Sequence, residues 1–262
     1  MPRFEPHPDR RPAVVTGASS GIGRAAALLL GAAGFPVVLG ARRVERCEEA
    51  AEQIRAAGGE AWALPLDVCD GESVAAFAAA AEAAAGPIEV VVSNAGDVLP
   101  VSTIEADPDA FAGQVAVNLL GPQRLVHHLG PGMIERRRGD IVFVTSDVAQ
   151  QVRPHMAGYV AAKHGLEGIA KAMRLELEGT GVRVGMVRPG PSATEQGSTW
   201  SGESIDHILG EWARHGLIRH SGYLTPEQVG AAVLAMVSAP RGSAFTVIEV
   251  QPEAPVEAKE GG

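Results

Sequence analysis

Two side chains in the middle of this sequence are of types that can move a proton together. Tyr159 and Lys163 stand four residues apart in a stretch of helical character, which puts them on one face, a turn apart. A free phenol ionises near pH ~10, too high for an effective base at neutral pH. A neighbouring ammonium favours the phenolate and lowers that value, so the pair could exchange a proton with an alcohol or carbonyl oxygen. The same spacing also describes an ordinary exposed helix pair. Its setting argues for more, because it follows an apolar run, Val142-Phe143-Val144-Thr145, that ends in the hydroxyl of Ser146. A second chemical feature lies near the N-terminus, Thr16-Gly17-Ala18-Ser19-Ser20-Gly21-Ile22-Gly23. Gly17 would allow a tight turn, Gly21 would let the backbone approach a pyrophosphate, and Gly23 would let a helix pack on a strand. The phosphates would then meet the free N–H groups and positive end of that helix. A glycine-rich turn can also be no more than a turn.

The elements around these residues are regular. Ala13–Thr16, Val37–Leu39, Ala61–Leu66, Ile88–Ser93, Ile141–Thr145, Val182–Val187 and Phe245–Val250 read as strands. They are nearly continuous in apolar residues, as strands buried on both faces are. Gly23–Ala33, Val44–Ala57, Glu72–Ala85, an interrupted Pro108–Arg137, Ala157–Glu178 and Pro226–Ser238 read as helices. Thr225-Pro226-Glu227-Gln228 is a helix start with a capping box. The alternation implies an α/β fold, a doubly wound parallel sheet with helices on both faces. No linker divides the chain, so residues 1–262 read as a single domain with a flexible N-terminus to about 11 and a tail from about 256. Gly190–Gly222 breaks the rhythm and reads as a lid. In it Trp200, Ile205, Ile208, Leu209 and Trp212 would form a pocket wall or a core-facing helix side. Gly121-Pro122 should kink or interrupt the helix that holds Asn118.

The bulk properties exclude several classes. With a net charge of −9 and a pI near 5.4 over 262 residues, the chain lacks the basic footprint of a nucleic-acid or anionic-membrane surface. Cys47 and Cys69 have no metal-type spacing around them and read as free thiols in a reducing compartment, so no metal is expected. No apolar run is long enough to span a membrane, the N-terminus does not read as a secretion signal, and a cytoplasmic location is expected.

The glycine spacing is Gly-x-x-x-Gly-x-Gly, not the Gly-x-Gly-x-x-Gly of most dinucleotide folds. With Asn94-Ala95-Gly96, Asn118, Ser146, Tyr159-x-x-x-Lys163, and Pro189-Gly190 with Thr194, in that order, the chain resembles the short-chain dehydrogenase/reductase family from about Ala13 to Val250. The resemblance implies a Rossmann fold and an oxidoreductase that passes a hydride between a nicotinamide cofactor and a carbonyl or secondary alcohol. It makes Tyr159 the general acid/base, Ser146 the group that holds the substrate oxygen, and Lys163 a tuner of Tyr159 that also binds the nicotinamide ribose. Asn118 would support a water that links the lysine to solvent. Thr194 would bond the carboxamide, and Asp67-Val68 would meet the adenine, although Asp67 reads equally well as a loop or cap residue.

The second strand ends Leu39-Gly40-Ala41-Arg42-Arg43, where NAD-binding turns usually have a carboxylate. A guanidinium grips a 2′-phosphate through paired charge-assisted bonds. Arg42 therefore favours NADP(H) over NAD(H), while both arginines, Arg43 more so, could simply be surface residues. The turn itself has Ser19 and Ser20 where many NADP-preferring relatives carry a basic residue. A small-molecule carbonyl or alcohol is the expected partner, with a homo-oligomer, dimer or tetramer. The last strand lacks the Asp-Gly-Gly ending of many relatives, a segment that often joins tetramer contacts. A cofactor-binding regulator without chemistry and a same-fold epimerase or dehydratase are the other readings. His155, close to Tyr159 in sequence, could face the substrate or be a loop residue.

Overall fold

The computed structural model describes residues 4–195 and 202–256. Seven strands, β1 (Ala13–Thr16), β2 (Val37–Ala41), β3 (Ala61–Pro65), β4 (Val90–Ser93), β5 (Gly139–Val144), β6 (Val182–Pro189) and β7 (Val247–Val250), form one sheet in the order β3-β2-β1-β4-β5-β6-β7. Every pairing is parallel. Consecutive residues of a strand point to opposite faces, and the valine-rich strands feed two core layers accordingly. Val15, Val92 and Val144 pack with Leu30, Ile54 and Val233 on one face. Val14, Val91 and Phe143 pack with Phe77, Leu129 and Leu166 on the other. The helices are α1 (Gly21–Ala32), α2 (Val44–Ala56), α3 (Gly71–Ala85), α4 (Pro108–Val115), α5 (Gly121–Glu135), α6 (Ala157–Glu176), α7 (Gly202–Arg214) and α8 (Pro226–Val237); α1, α2 and α8 supply the partners on the first face, and α3, α5 and α6 those on the second. The expected Rossmann-type doubly wound sheet is therefore what forms. Strand order reverses between β1 and β4, and a crevice opens at their carboxyl ends.

Most expected boundaries hold to within about two residues, the scale on which helix and strand ends are ambiguous. The capping box of α8 forms as read: the Gln228 N–H reaches Thr225 Oγ1, and Thr225 N–H reaches Gln228 Oε1 at 2.8 Å. The helix around Asn118 is interrupted as expected, by a π-turn over Ala116–Leu120 that ends just before Gly121-Pro122. The stretch read as a lid contains α7, where Ile205, Ile208, Leu209 and Trp212 recur at helical spacing. Trp200 lies outside the described residues.

At the amino ends of the strands a set of buried charges closes the sheet. Asp140 at the start of β5 takes Arg11, and it takes Arg183 of β6 through Nε at 2.5 Å and Nη2 at 2.8 Å. Arg11 Nη1 also donates to Val237 O at the end of α8 (2.8 Å). Within the stretch read as a flexible N-terminus, His7 also holds Ala239 O, and Arg10 holds Glu60 and Ala85 O. The Arg136-Arg137-Arg138 run follows the end of α5, and two of its members are held: Arg138 pairs with buried Glu89 at 2.9 Å, and Arg136 donates to Ile88 O. Among the described residues no helix is long and apolar enough to cross a membrane.

Candidate active site

A cleft of about 1070 Å³ occupies the crevice at the carboxyl ends of the strands. On its walls are Gly17, Ser19, Ser20, Gly21, Ile22, Arg42, Asp67, Val68, Asn94, Ala95, Gly96, Ser146, Tyr159, Lys163, Pro189, Gly190 and Thr194. Of the catalytic and cofactor-binding candidates, Gly23 and Asn118 do not line it; both lie just behind residues that do.

The glycine turn is shaped by close approach. Gly17 has φ +66°, and a Cβ there would meet the Ala95 backbone at 2.9 Å. A Cβ on Gly23 would meet Asn94 Nδ2 and Gly17 O, each at 2.5 Å. The turn is stitched to β4 by Thr16, whose Oγ1 accepts from the N–H groups of Asn94 and Ala95, while Asn94 Nδ2 donates to Thr16 O, all at 3.0 Å. Asn94 is thus more than a small-residue neighbour; its side chain ties the two strand ends together. Ser20 precedes α1 in extended conformation and its side chain does not cap the helix.

Arg43, the arginine that read more readily as a surface residue, reaches over this turn. Its Nη2 donates to Ser19 Oγ (3.1 Å) and Ser20 Oγ (2.9 Å), and its Nη1 to Glu195 (2.9 Å). Glu195 also takes Arg46 at 2.7 Å. Arg42 lines the same mouth. Asp67 keeps its loop character, with Oδ1 accepting from the Cys69 N–H at 2.9 Å.

Tyr159 and Lys163 face the cleft from α6, 8% and 4% exposed. Lys163 Nζ donates to Val144 O at 2.9 Å and lies 5.5 Å from the Tyr159 ring centroid. The expected lowering of the Tyr159 pKa is not what this environment produces. Burial pushes the phenol up to about 12, and a hydrogen bond with Ser146 offsets only part of that. Burial likewise pulls Lys163 down to about 8. Both shifts have one cause: a dry pocket disfavours either charge.

The sign of the consequence follows from proton counts. Between the folded value of Lys163 near 8 and its ordinary 10.5, the folded chain holds fewer protons than the unfolded one. Stability therefore rises with pH through that window. Tyr159, raised from 10.0, acts oppositely: the folded chain holds more protons between about 10 and 12, and stability falls there. Urea unfolding at pH 8, 9 and 10 is expected to show the rise, and Lys163→Met to lack it. An equal rise in that variant would assign the effect to other groups.

Asn118 lies in the π-turn, fully buried. Its Nδ2 donates to Asp97 O (2.8 Å) and to Gln114 O (2.9 Å), a carbonyl four residues back. Its Oδ1 has no hydrogen-bond partner among the described residues. A Cβ on Gly96 would lie 2.8 Å from that oxygen and 3.7 Å from Lys163 Nζ, so both groups border Gly96. His155 has φ +62° and its ring packs edge-on against His207 of α7 (5.1 Å); it does not line the cleft. Sequence reading passed over Asp147 and Arg153, which do line it and form an ion pair at 2.5 Å. Six residues apart in a loop, they match no periodic pattern. Met156, Leu209 and Trp212 complete an apolar wall beside Tyr159. Among the described residues no cluster of three or more His, Cys, Asp or Glu side chains could hold a metal ion.

The profile of a family described as short chain dehydrogenase matches residues 11–203. A glycine betaine reductase of Emericella nidulans is 33% identical over 241 residues, 92% of this chain. The chain spans 18% of that protein, and 64% of a short chain dehydrogenase of Pseudocercospora fijiensis that is 33% identical over 198 residues, 75% of this chain. An alcohol dehydrogenase of Thermococcus sibiricus, solved with 5-hydroxy-NADP, superposes with a TM-score of 0.82 at 28% identity, covering 95% of this chain and all of that one. An actinorhodin polyketide ketoreductase variant with NADPH gives 0.80 at 32% identity, covering 93% and 97%.

Proposed function

The chain belongs to the short chain dehydrogenase family of oxidoreductases, and from that premise we propose that it is an NADP(H)-dependent carbonyl reductase or alcohol dehydrogenase. The observation that carries the reading is the convergence of Ser146, Tyr159 and Lys163 with the glycine turn and two arginines on one cleft. The turn fits a dinucleotide: Gly17 and Gly23 keep Cβ atoms out of it, and the side chain of Ser20 leaves the first N–H groups of α1 uncapped. Arg42 and Arg43 stand where a 2′-phosphate would be gripped. The cleft is at the upper end of ordinary ligand pockets, about 300–1,000 Å³, which suits a dinucleotide with a small substrate beside it.

When bound, the nicotinamide donates or accepts the hydride. The chain's residues handle the oxygen and its proton. Ser146 holds the substrate oxygen next to the Tyr159 hydroxyl. Tyr159 gives its proton to that oxygen during reduction and takes it back during oxidation. Its high pKa suits the reducing direction, because the phenol stays protonated and ready to donate at neutral pH. Lys163 supplies the positive charge that eases the transient phenolate. After Lys163 returns a proton to the phenolate, the bare Oδ1 of Asn118, bordering the same glycine, suits a bridging water through which the lysine is reprotonated from solvent. The apolar wall of Met156, Leu209 and Trp212 suits a substrate that is apolar around its carbonyl.

Titration of the purified protein with NADPH and NADH, followed by nicotinamide fluorescence, tests the cofactor assignment. NADPH is expected to bind at least about tenfold more tightly, the scale of one charge-assisted bond. Arg42→Ala and Arg43→Ala are each expected to narrow that ratio by weakening NADPH alone. Equal affinities would make both arginines surface residues, and no binding of either nucleotide would remove the enzyme reading.

A further inference from the structure

Next to the Ser146 hydroxyl lies an ion pair that the reaction outlined above does not use. Asp147 opens the 3-10 turn Asp147–Ala149, and Arg153 grips both its oxygens, Nη1 to Oδ1 at 2.8 Å and Nη2 to Oδ2 at 2.5 Å. Their side chains are 11% and 9% exposed. Burying two charges loses hydration that the attraction between them barely returns, and well-packed apolar residues stabilise a fold as well. Stability alone therefore does not explain the pair, whereas its neighbours offer a reason. On one side Ser146 Oγ donates to Asp147 Oδ1 at 3.3 Å. On the other the Arg153 guanidinium lies 5.5 Å from the Trp212 ring centroid, and Trp212 Nε1 donates to Pro154 O at 3.0 Å. One run of contacts joins α7 to the serine.

We propose that Asp147 and Arg153 are a positioning pair for the reaction. Asp147 steadies the Ser146 hydroxyl until a substrate oxygen takes its one proton in hydrogen bonding, Arg153 holds Asp147 and docks α7 through Trp212, and together they present balanced charge to the Tyr159 phenol. The pair is built for balance, because a lone charge of either sign beside the phenol would move its proton affinity. Asp147 alone raises it and Arg153 alone lowers it. Among the described residues, the other charged groups on this part of the cleft are Lys163 on α6 and Asp97, which follows β4. His155 in the same loop stacks on His207 of α7, and Glu211 of α7 is paired with Arg214 and His215. None of these touches the Asp147–Arg153 pair.

This inference rests on the reading of Tyr159 as the proton donor, so its test uses ionisation rather than turnover. The chain has two tyrosines. In a Tyr223→Phe background the ultraviolet absorbance of tyrosinate reports Tyr159 alone. Asp147→Asn keeps the shape and leaves the Arg153 cation unbalanced; it is expected to lower the midpoint by about one pH unit. Adding Arg153→Met to it is expected to return the midpoint to the parental value. A site merely loosened by mutation would admit water and move both variants down. A double variant that stays low, or an Asp147→Asn variant that does not shift, would overturn the pairing. Should Asp147→Asn not fold, Arg153→Met and Arg153→Lys decide the same point: the first is expected to raise the midpoint, and the second, which keeps the cation, to leave it in place. Arg153→Met lowering it would overturn the proposal. Turnover that survives Tyr159→Phe would sink the proposed function while leaving the absorbance result standing.

Discussion

Tyr159→Phe is expected to lower turnover by about 10²–10⁴-fold, the range that a positioned acid or base contributes, while NADPH affinity changes by no more than about twofold. The substitution removes one hydroxyl and keeps the ring. That ring packs with Val98, Val148 and Met156 in a small apolar cluster, and phenylalanine fills the same space. The glycine turn, Arg42 and Arg43 lie on other elements and are untouched. Lys163 keeps its bond to Val144 O. What is lost is the phenolic proton beside an oxygen held by Ser146. Single-turnover oxidation of bound NADPH by a carbonyl substrate separates the chemical step from binding and product release. A rate in the variant near the parental rate would take the acid/base role away from Tyr159 and give it to another donor, with Ser146 the nearest.

Asp140→Ala is expected to have the opposite profile, a large loss of stability with little change in cofactor affinity. Asp140 is buried between two guanidinium groups, and removing it leaves both without their carboxylate. Breaking a buried pair in this way costs about 3–5 kcal/mol, because the orphaned charge remains inside the fold. Asp140 sits opposite Val90 and Arg183 in the sheet register, at the amino ends of the strands, whereas the cleft opens at their carboxyl ends. Urea unfolding measures the first effect, and NADPH titration of the folded variant measures the second. A loss under about 1 kcal/mol would mean that the Arg11 and Arg183 side chains find solvent as easily as they find Asp140.

The sheet and its cleft were legible because they rest on local signals. Buried parallel strands show up as apolar runs, such as Val90-Val91-Val92. The glycine turn has little freedom in its spacing, since Gly17 and Gly23 stand where a side chain would collide. Tyr159 and Lys163 were legible as neighbours from helical geometry alone. Their electrostatics were not, because proximity of an ammonium suggests a lowered phenol pKa, while burial, a property of the whole fold, dominates. Arg43 is half-exposed, as a surface residue would be, but its reach over the glycine turn was not legible, because its partners Ser19, Ser20 and Glu195 come from distant segments. The Asp147–Arg153 pair and the Asp140 cluster join residues whose proximity only the folded chain creates. The helical spacing of Ile205, Ile208, Leu209 and Trp212 was visible but was obscured by the irregular composition around it.

The reversal of strand order between β1 and β4 has a consequence for how the protein comes into being. Strands β1 to β3 leave the ribosome first and form one flank of the sheet, with the exposed edge of β1 waiting for β4. The glycine turn and the arginines belong to that early flank, and Ser146, Tyr159 and Lys163 belong to the late one. Thr16 is the point where they are sewn together, through Asn94 and Ala95. A chain that stops before β5 would therefore lack the residues proposed for one end of a dinucleotide, and an unpaired β1 edge invites wrong partners in the interval. A nucleotide that spans the join would bind only the finished article and draw the folding equilibrium toward it by mass action. For a nascent copy of this chain, abundant cofactor would then act as a chaperone of sorts, rewarding the completed seam.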